Sequence, residues 1–279
     1  MKFISPSRMI QEAIADAINL AFKILLDPSK IPLEIGYPKY DAHYTSTIAL
    51  AIANRLNLSP VQIAEAIAQT CSQNLEISSQ WQIQALGKGW LNIFLSEQYI
   101  SQNLLSLDNW QPLRINNNIA ILPAEKLPEA DCENKLLTME IFNSLNKVLK
   151  PLASNKILKT ELLTQYAYAR CCALIRLANR ENLFSEYHLQ NLKFGEPVEI
   201  NLIMQIFDIS TNLEEKDYSI LNKYKLSRSL TESFLQFYDR CRIFGVPREI
   251  AISRLLLIRI TQKLLLAIAP PDINYSMYL

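Results

Sequence analysis

Glycine is scarce in this chain, five among 279 residues, and histidine scarcer still, with only His43 and His188. That scarcity excludes the phosphate-cradling loops built from glycine, and neither a Gly-x-x-x-x-Gly-Lys nor a Gly-x-Gly-x-x-Gly motif occurs. Two isolated histidines also leave little material for a Ser-His-Asp or Cys-His catalytic arrangement. The five cysteines (Cys71, Cys132, Cys171, Cys172 and Cys241) are odd in number and never spaced Cys-x-x-Cys, which argues against a disulfide framework and against zinc. Adjacent Cys171 and Cys172 would point about 100° apart on a helix, so buried, reduced thiols are expected and no redox pair. No cofactor is indicated. Long apolar runs are missing as well. The most apolar stretch, Ala251 to Ala269, is interrupted by Arg254, Arg259 and Lys263 and reads as a buried helix. The opening residues lack a signal-peptide core, and a cytoplasmic protein with no membrane partner is expected.

An excess of either charge is absent too, with 28 basic against 27 acidic side chains. RNA affinity draws heavily on Lys and Arg neutralising phosphates, so this balance disfavours a broad nucleic-acid surface. The distribution is uneven. Residues 151–279 hold 16 basic and 13 acidic groups, residues 1–112 hold 7 and 9, and the stretch between holds five of each. Arg170, Arg176 and Arg180 fall close together on one predicted helix.

What is present is a packed, mainly helical body, 49% hydrophobic and long enough for two domains of about 100 to 150 residues each. Ser5-Pro6 opens an amphipathic helix carrying Ile10, Ile14, Ala17, Ile18, Ala21 and Leu25, which Asp27-Pro28 should end. A short strand is predicted over 31–35, a turn at Gly36-Tyr37-Pro38, a helix from Thr45 to Leu56, and another opened by Ser59-Pro60 with Ile63, Ala66, Ile67 and Thr70 on one side. The period then becomes alternating. Trp81, Ile83 and Ala85 face one way on a strand, Gly87 and Gly89 flank a reversal, and Leu91, Ile93 and Leu95 continue on a second strand. Ser96 caps a helix to about Leu107.

Pro112, Asn116 to Asn118, Pro123 and Pro128 mark an irregular crossing, with a short strand predicted at Ile119 to Leu122 and a helix starting near Cys132. From about Ser154 only helices are expected. Leu162, Tyr166, Ala169, Ala173 and Leu177 form one stripe, and further helices are predicted over 197–213, 218–244 and 247–268, with Gly245 as a stop between the last two. The fold class is mainly α: a small α+β domain over 1–110, a linker over 111–150, and an all-α bundle over 151–279.

Two blocks carry a resemblance. Gly87-Lys88-Gly89-Trp90-Leu91-Asn92-Ile93-Phe94-Leu95 is similar to the Gly-Pro-Gly-Phe-Ile-Asn-Phe-x-Leu that closes the N-terminal additional domain of arginyl-tRNA synthetases. The likeness extends back through Tyr44 to Ala53 and Leu58 to Ala64. Tyr166-Ala167-Tyr168-Ala169-Arg170 resembles the Tyr-Ala-x-x-Arg near the start of the same family's C-terminal, DALR-type anticodon-binding domain. Phe237 to Ile243, Arg254 to Leu257 and Leu264 to Pro271 resemble later blocks of that domain in order. Lys88 departs from the family proline, and Pro271-Asp272-Ile273 departs from its closing Pro-Glu-Arg-Met.

The resemblance implies a fold of additional-domain and anticodon-binding modules. It also implies a site. The additional domain contacts the tRNA elbow in the enzyme, which places Lys88, Asn92 and the segment Tyr40 to Tyr44 near RNA. Tyr166 matches an aromatic near the anticodon, with Arg170 one turn on and Arg176 beyond; Tyr275 and Tyr278 stand in for the missing terminal methionine as stacking surfaces. Each has a structural alternative: Asn92 as a cap for backbone groups, Tyr166 as a half-buried core tyrosine. Arg254 is expected to pair internally with a carboxylate. Residues 111–150 stand where the family inserts several hundred residues of catalytic domain, and neither a His-x-Gly-His nor a Lys-Met-Ser-Lys-Ser motif is present. The expectation is a non-catalytic protein that binds tRNA, of arginine type, as an adaptor or chaperone presenting it to a modifying enzyme or a synthetase. The alternative is a protein interaction scaffold built from synthetase modules.

Overall fold

A computed structural model describes residues 5–36, 42–110, 156–183, 192–214 and 220–269. The first helix, α1 (Pro6–Phe22), starts where Ser5 accepts a hydrogen bond from the Arg8 N–H at 3.3 Å, with Pro6 at the first helical position. It stops earlier than its apolar spacing predicts. Lys23 turns left-handed at φ 57° and gives its N–H to the Asn19 carbonyl, which leaves Leu25 outside the helix and 82% exposed. Asp27-Pro28 instead opens a 3-10 turn (Pro28–Lys30), capped by the Asp27 carboxylate on the Ser29 N–H.

Four strands follow: β1 (Glu34–Ile35), β2 (Tyr44–Ser46), β3 (Trp81–Leu86) and β4 (Trp90–Leu95), all antiparallel in the order β1-β2-β4-β3. The strand predicted over 31–35 is confined to its last two residues. Thr45 and Ser46 belong to β2 rather than to the following helix, because they pair with Asn92 and Leu91 of β4. Ser46 Oγ donates to the Pro32 carbonyl at 2.5 Å and helps turn the chain into α2 (Ile48–Leu56). Helix α3 (Pro60–Gln73) begins in a reciprocal capping box between Ser59 and Gln62. A short α4 (Leu75–Gln80) leads into β3, and α5 (Glu97–Asn109) starts at the Ser96 cap.

One face of the sheet builds the core of this half. Leu91 and Ile93 are fully buried against Ile10, Ile14 and Ile18 of α1 and Ile63 and Ile67 of α3, and Trp81 meets Tyr99 edge-on with ring centroids 5.1 Å apart. His43, just before β2, is half-buried and structural. Its ring Nδ1 accepts the Leu95 N–H at 3.0 Å, so the neutral ring carries its proton on Nε2, and burial holds its pKa below the usual histidine value. Stability should therefore fall as pH drops from above about 6.5, the unfolded-state value, toward the lower folded-state value, and level off below it. His43→Asn keeps an acceptor for Leu95 but cannot titrate. Its unfolding free energy should lack that step when both proteins are melted by urea between pH 7.5 and pH 5.

Among the described residues the second half contains α6 (Lys156–Arg180), α7 (Pro197–Glu214), α8 (Ile220–Arg240) and α9 (Arg248–Ala267). Helix α8 ends four residues short of the predicted Phe244, and Gly245 in the following turn has φ 72°. The single stripe expected on α6 proves too narrow. Thr164, Ala167, Cys171, Cys172 and Ala178 are buried along with Tyr166 and Ala169, because α8 and α9 both pack on this helix. Helix α9 is buried on most sides and touches α5 through α8 save the short connections. None of the helices among the described residues is long and apolar enough to cross a membrane. Cys71, Cys171, Cys172 and Cys241 are buried and unbridged; burial pushes the Cys71 thiol up to about 12 and Cys241 to about 11, which keeps them from forming thiolates near neutral pH. Cys132 lies outside the described residues, as do the predicted turn at 37–38, the strand at 119–122 and the helix near 132. The two halves touch directly, α1 on α7 and α5 on α9.

Candidate functional site

Strand alternation sorts the β3–β4 hairpin into two faces. Leu91, Ile93 and Leu95 turn into the core, whereas Trp90, Asn92 and Phe94 share the opposite face with their cross-strand partners Leu86, Gln84 and Gln82. Trp90 is 41% exposed and Leu86 45%. Between them Gly87-Lys88-Gly89 forms the reversal, with Gly87 at φ 56° and Gly89 at φ 101°, and Lys88 is exposed at its tip. Asn92 is buried, lying between Gln84 of β3 and Thr45 of β2. An exposed cation, an exposed indole and a row of amides therefore occupy one end and face of the sheet, a combination able to hold a phosphate and stack a base.

The second cluster gathers on α6 and α8. Arg170 donates from a terminal nitrogen to the Tyr238 hydroxyl at 2.5 Å, and its guanidinium carbon lies 5.2 Å from the Tyr238 ring centroid and 5.9 Å from that of Tyr166. Tyr238 in turn stacks on Phe234, with centroids 6.1 Å apart and planes inclined by 16°. Tyr166 itself is 3% exposed, with burial raising its phenol pKa, Arg170 drawing it partly back and Tyr238 adding a smaller rise. A base could stack on the Tyr166 ring only after displacing the neighbouring side chains. Arg170 Nε is buried and finds no hydrogen-bond partner among the described residues. The chemistry on offer is a half-buried cation between two tyrosine rings.

Arg176 is on the same helix but about 120° around the axis from Arg170, close enough to Cys172 for its charge to lower that thiol's pKa against the larger effect of burial. Arg180, exposed, shares the Arg176 side. Tyr275 and Tyr278 lie outside the described residues, as do Tyr40 and His188. Arg254 meets its carboxylate: its Nε donates to Glu199 Oε1 at 2.6 Å, and another nitrogen donates to the Arg242 carbonyl at 2.6 Å. Sequence reasoning passed over two residues that the geometry brings into the clusters. Trp90 stands two positions before Asn92, on its face of the strand, and Tyr238 lies inside the block Phe237 to Ile243; alternation and the family block were signals for each.

Comparison with known proteins bears on both clusters. Residues 8–95 match the arginyl tRNA synthetase N terminal domain, and residues 164–269 match the DALR anticodon binding domain. The arginine–tRNA ligase of Chlorobium phaeovibrioides is 31% identical over 108 residues, covering 36% of this chain and 19% of that protein. That of Pelodictyon phaeoclathratiforme is 34% identical over 110 residues, and that of Synechococcus sp. 28% over 113, with the same shares covered. The chain spans about a fifth of the length of these curated relatives. The matched domains are non-catalytic ends of the synthetase.

Proposed function

From a chain related to arginyl-tRNA synthetase, whose N-terminal domain is joined here to a DALR anticodon binding domain with no catalytic domain between them, we infer a non-catalytic tRNA-binding protein. It holds tRNA of arginine type as an adaptor or chaperone, presenting it to a modifying enzyme or a synthetase. The observation that carries this reading is the presence, in one chain, of both end domains, and an aromatic and cationic cluster in each supports it. Lys88 and Trp90 would meet the elbow, with Asn92 buried in the sheet behind them; Arg170, held between Tyr166 and Tyr238, would meet the anticodon arm. With no net excess of cations in the chain, 28 against 27 acidic groups, binding rests on a handful of phosphate contacts, and its salt dependence is correspondingly shallow.

A second reading has its own observation. Leu58, Val61, Leu86 and Trp90 are all exposed and flank the place where Gly89 meets Pro60, an apolar surface suited to a protein partner. Fluorescence anisotropy with an arginine-accepting transcript and with total tRNA, at low and near-physiological salt, separates the two. Micromolar or tighter binding that prefers the arginine acceptor supports the tRNA reading; binding equal for every RNA and lost with salt leaves the scaffold. The variant to follow is Arg170→Gln, because Tyr166→Ala would open a cavity in the bundle. Arg170→Gln should weaken tRNA binding about tenfold while leaving the far-UV circular dichroism spectrum unchanged.

A further inference from the structure

Asp108 stands in the last turn of α5, where the helix's own carbonyl ends make a carboxylate unfavourable. Its compensation comes from the other half of the molecule. Arg259 on α9 donates from Nε to Asp108 Oδ1 at 3.0 Å and from a terminal nitrogen to Oδ2, forming a two-pronged pair. Lys263, one turn further along α9, donates to Oδ1 at 3.2 Å and to the Asp108 backbone carbonyl, one of the α5 groups left without a helical partner. The Asp108 side chain is 7% exposed. A second joint lies elsewhere on the boundary, where Ser7 at the start of α1 bonds Thr211 of α7. The two joints are separated along the boundary, and the apolar core that runs between them opposes rotation about the line joining them.

We propose that Asp108, Arg259 and Lys263 are positioning residues that fix the spacing between the Lys88–Trp90 sheet face and the Arg170 cluster, so that the chain favours RNAs reaching both surfaces at once. This rests on the tRNA reading above. Two weak surfaces held at a fixed distance act as one strong site for a ligand that matches the distance, and as independent weak sites for a ligand that reaches only one. Opening the clasp would leave the halves joined only through the Ser7–Thr211 side and the apolar core, loosening their fixed spacing and lowering the effective concentration of the second contact. None of the three residues need touch RNA.

The test compares an intact arginine-accepting tRNA with its isolated anticodon stem-loop, on wild type, Asp108→Asn and Arg259→Gln. Both variants should bind the intact tRNA about tenfold more weakly and the stem-loop as wild type does. Equal binding of intact tRNA by all three proteins overturns the proposal, and failure of wild type to bind either RNA retires the tRNA reading together with the selection built on it. An RNA-free readout tests the clasp separately. All three tryptophans, Trp81, Trp90 and Trp110, precede the linker, so their fluorescence follows the first half while far-UV ellipticity follows helices in both. The two thermal transitions should coincide in wild type and part by about 5 °C or more in the variants. Coincident transitions in both variants overturn the clasp itself.

Discussion

Arg254→Ala is expected to destabilise the helical half by about 3–5 kcal/mol, the usual cost of removing one partner from a buried ion pair. Glu199 is 1% exposed and its carboxylate is committed twice: Oε1 to Arg254, and Oε2 to the N–H groups of Gly195 and Glu196 at 2.8 and 2.9 Å. That second commitment caps the start of α7 and suits the positive end of the helix. Without the guanidinium, a charge stays buried beside groups that satisfy only part of it, and the Arg242 carbonyl also loses its donor. The turn between α8 and α9 should loosen as a result. A thermal melt followed by ellipticity should show a fall in Tm on the order of 10 °C. The double substitution Arg254→Met with Glu199→Gln removes both charges while keeping an acceptor for the α7 cap, and should recover most of the loss. Equal melting of the single and double variants would show that neither the stranded carboxylate nor the packing volume sets the cost, leaving the Arg242 carbonyl, which loses its donor in both.

That ion pair was legible as an expectation because an arginine in a strongly apolar run needs a buried partner, though the sequence does not name Glu199. Local signals generally carried through. Ser5-Pro6, Ser59-Pro60 and Ser96 start helices by chemistry confined to one turn, and the alternating residues around Gly87 and Gly89 define the hairpin. Features set by distant residues did not. Lys23 ends α1 in a left-handed conformation with no glycine to announce it, and Thr45 joins a strand only because β4 lies beside it. The Asp108 and Arg259 contact spans 151 positions, and Arg170 reaches Tyr238 across 68. The same division runs through the candidate site. Exposure of Lys88 follows from its place at a tight reversal, whereas burial of Asn92 depends on strands to either side, and burial of Tyr166 depends on α8 and α9 enclosing a helix whose own sequence suggested a single apolar stripe.

Gly89→Ala is the second change expected to act strongly, at about 3 kcal/mol or more, and it links the fold of the first half to its surface. The residue has φ 101°, a conformation that side chains rarely adopt. A Cβ there would also stand 2.5 Å from Pro60 Cβ and 2.8 Å from the Pro60 carbonyl carbon and oxygen. Pro60 begins α3 inside a capping box, so neither its ring nor its backbone can withdraw cheaply. The hairpin would have to lift from the helix, drawing Leu91 out of the core and turning Trp90 and Lys88 away from their present face. Gly87 supplies the control. It is left-handed at φ 56° but has nothing within 4 Å of a built Cβ, so Gly87→Ala should cost only about 1–2 kcal/mol. Urea unfolding followed by tryptophan fluorescence measures both. If the two substitutions cost the same, close approach to Pro60 is not what fixes Gly89. If Gly89→Ala alone moves the transition and also weakens intact tRNA while sparing the anticodon stem-loop, the hairpin tip is the elbow-side contact.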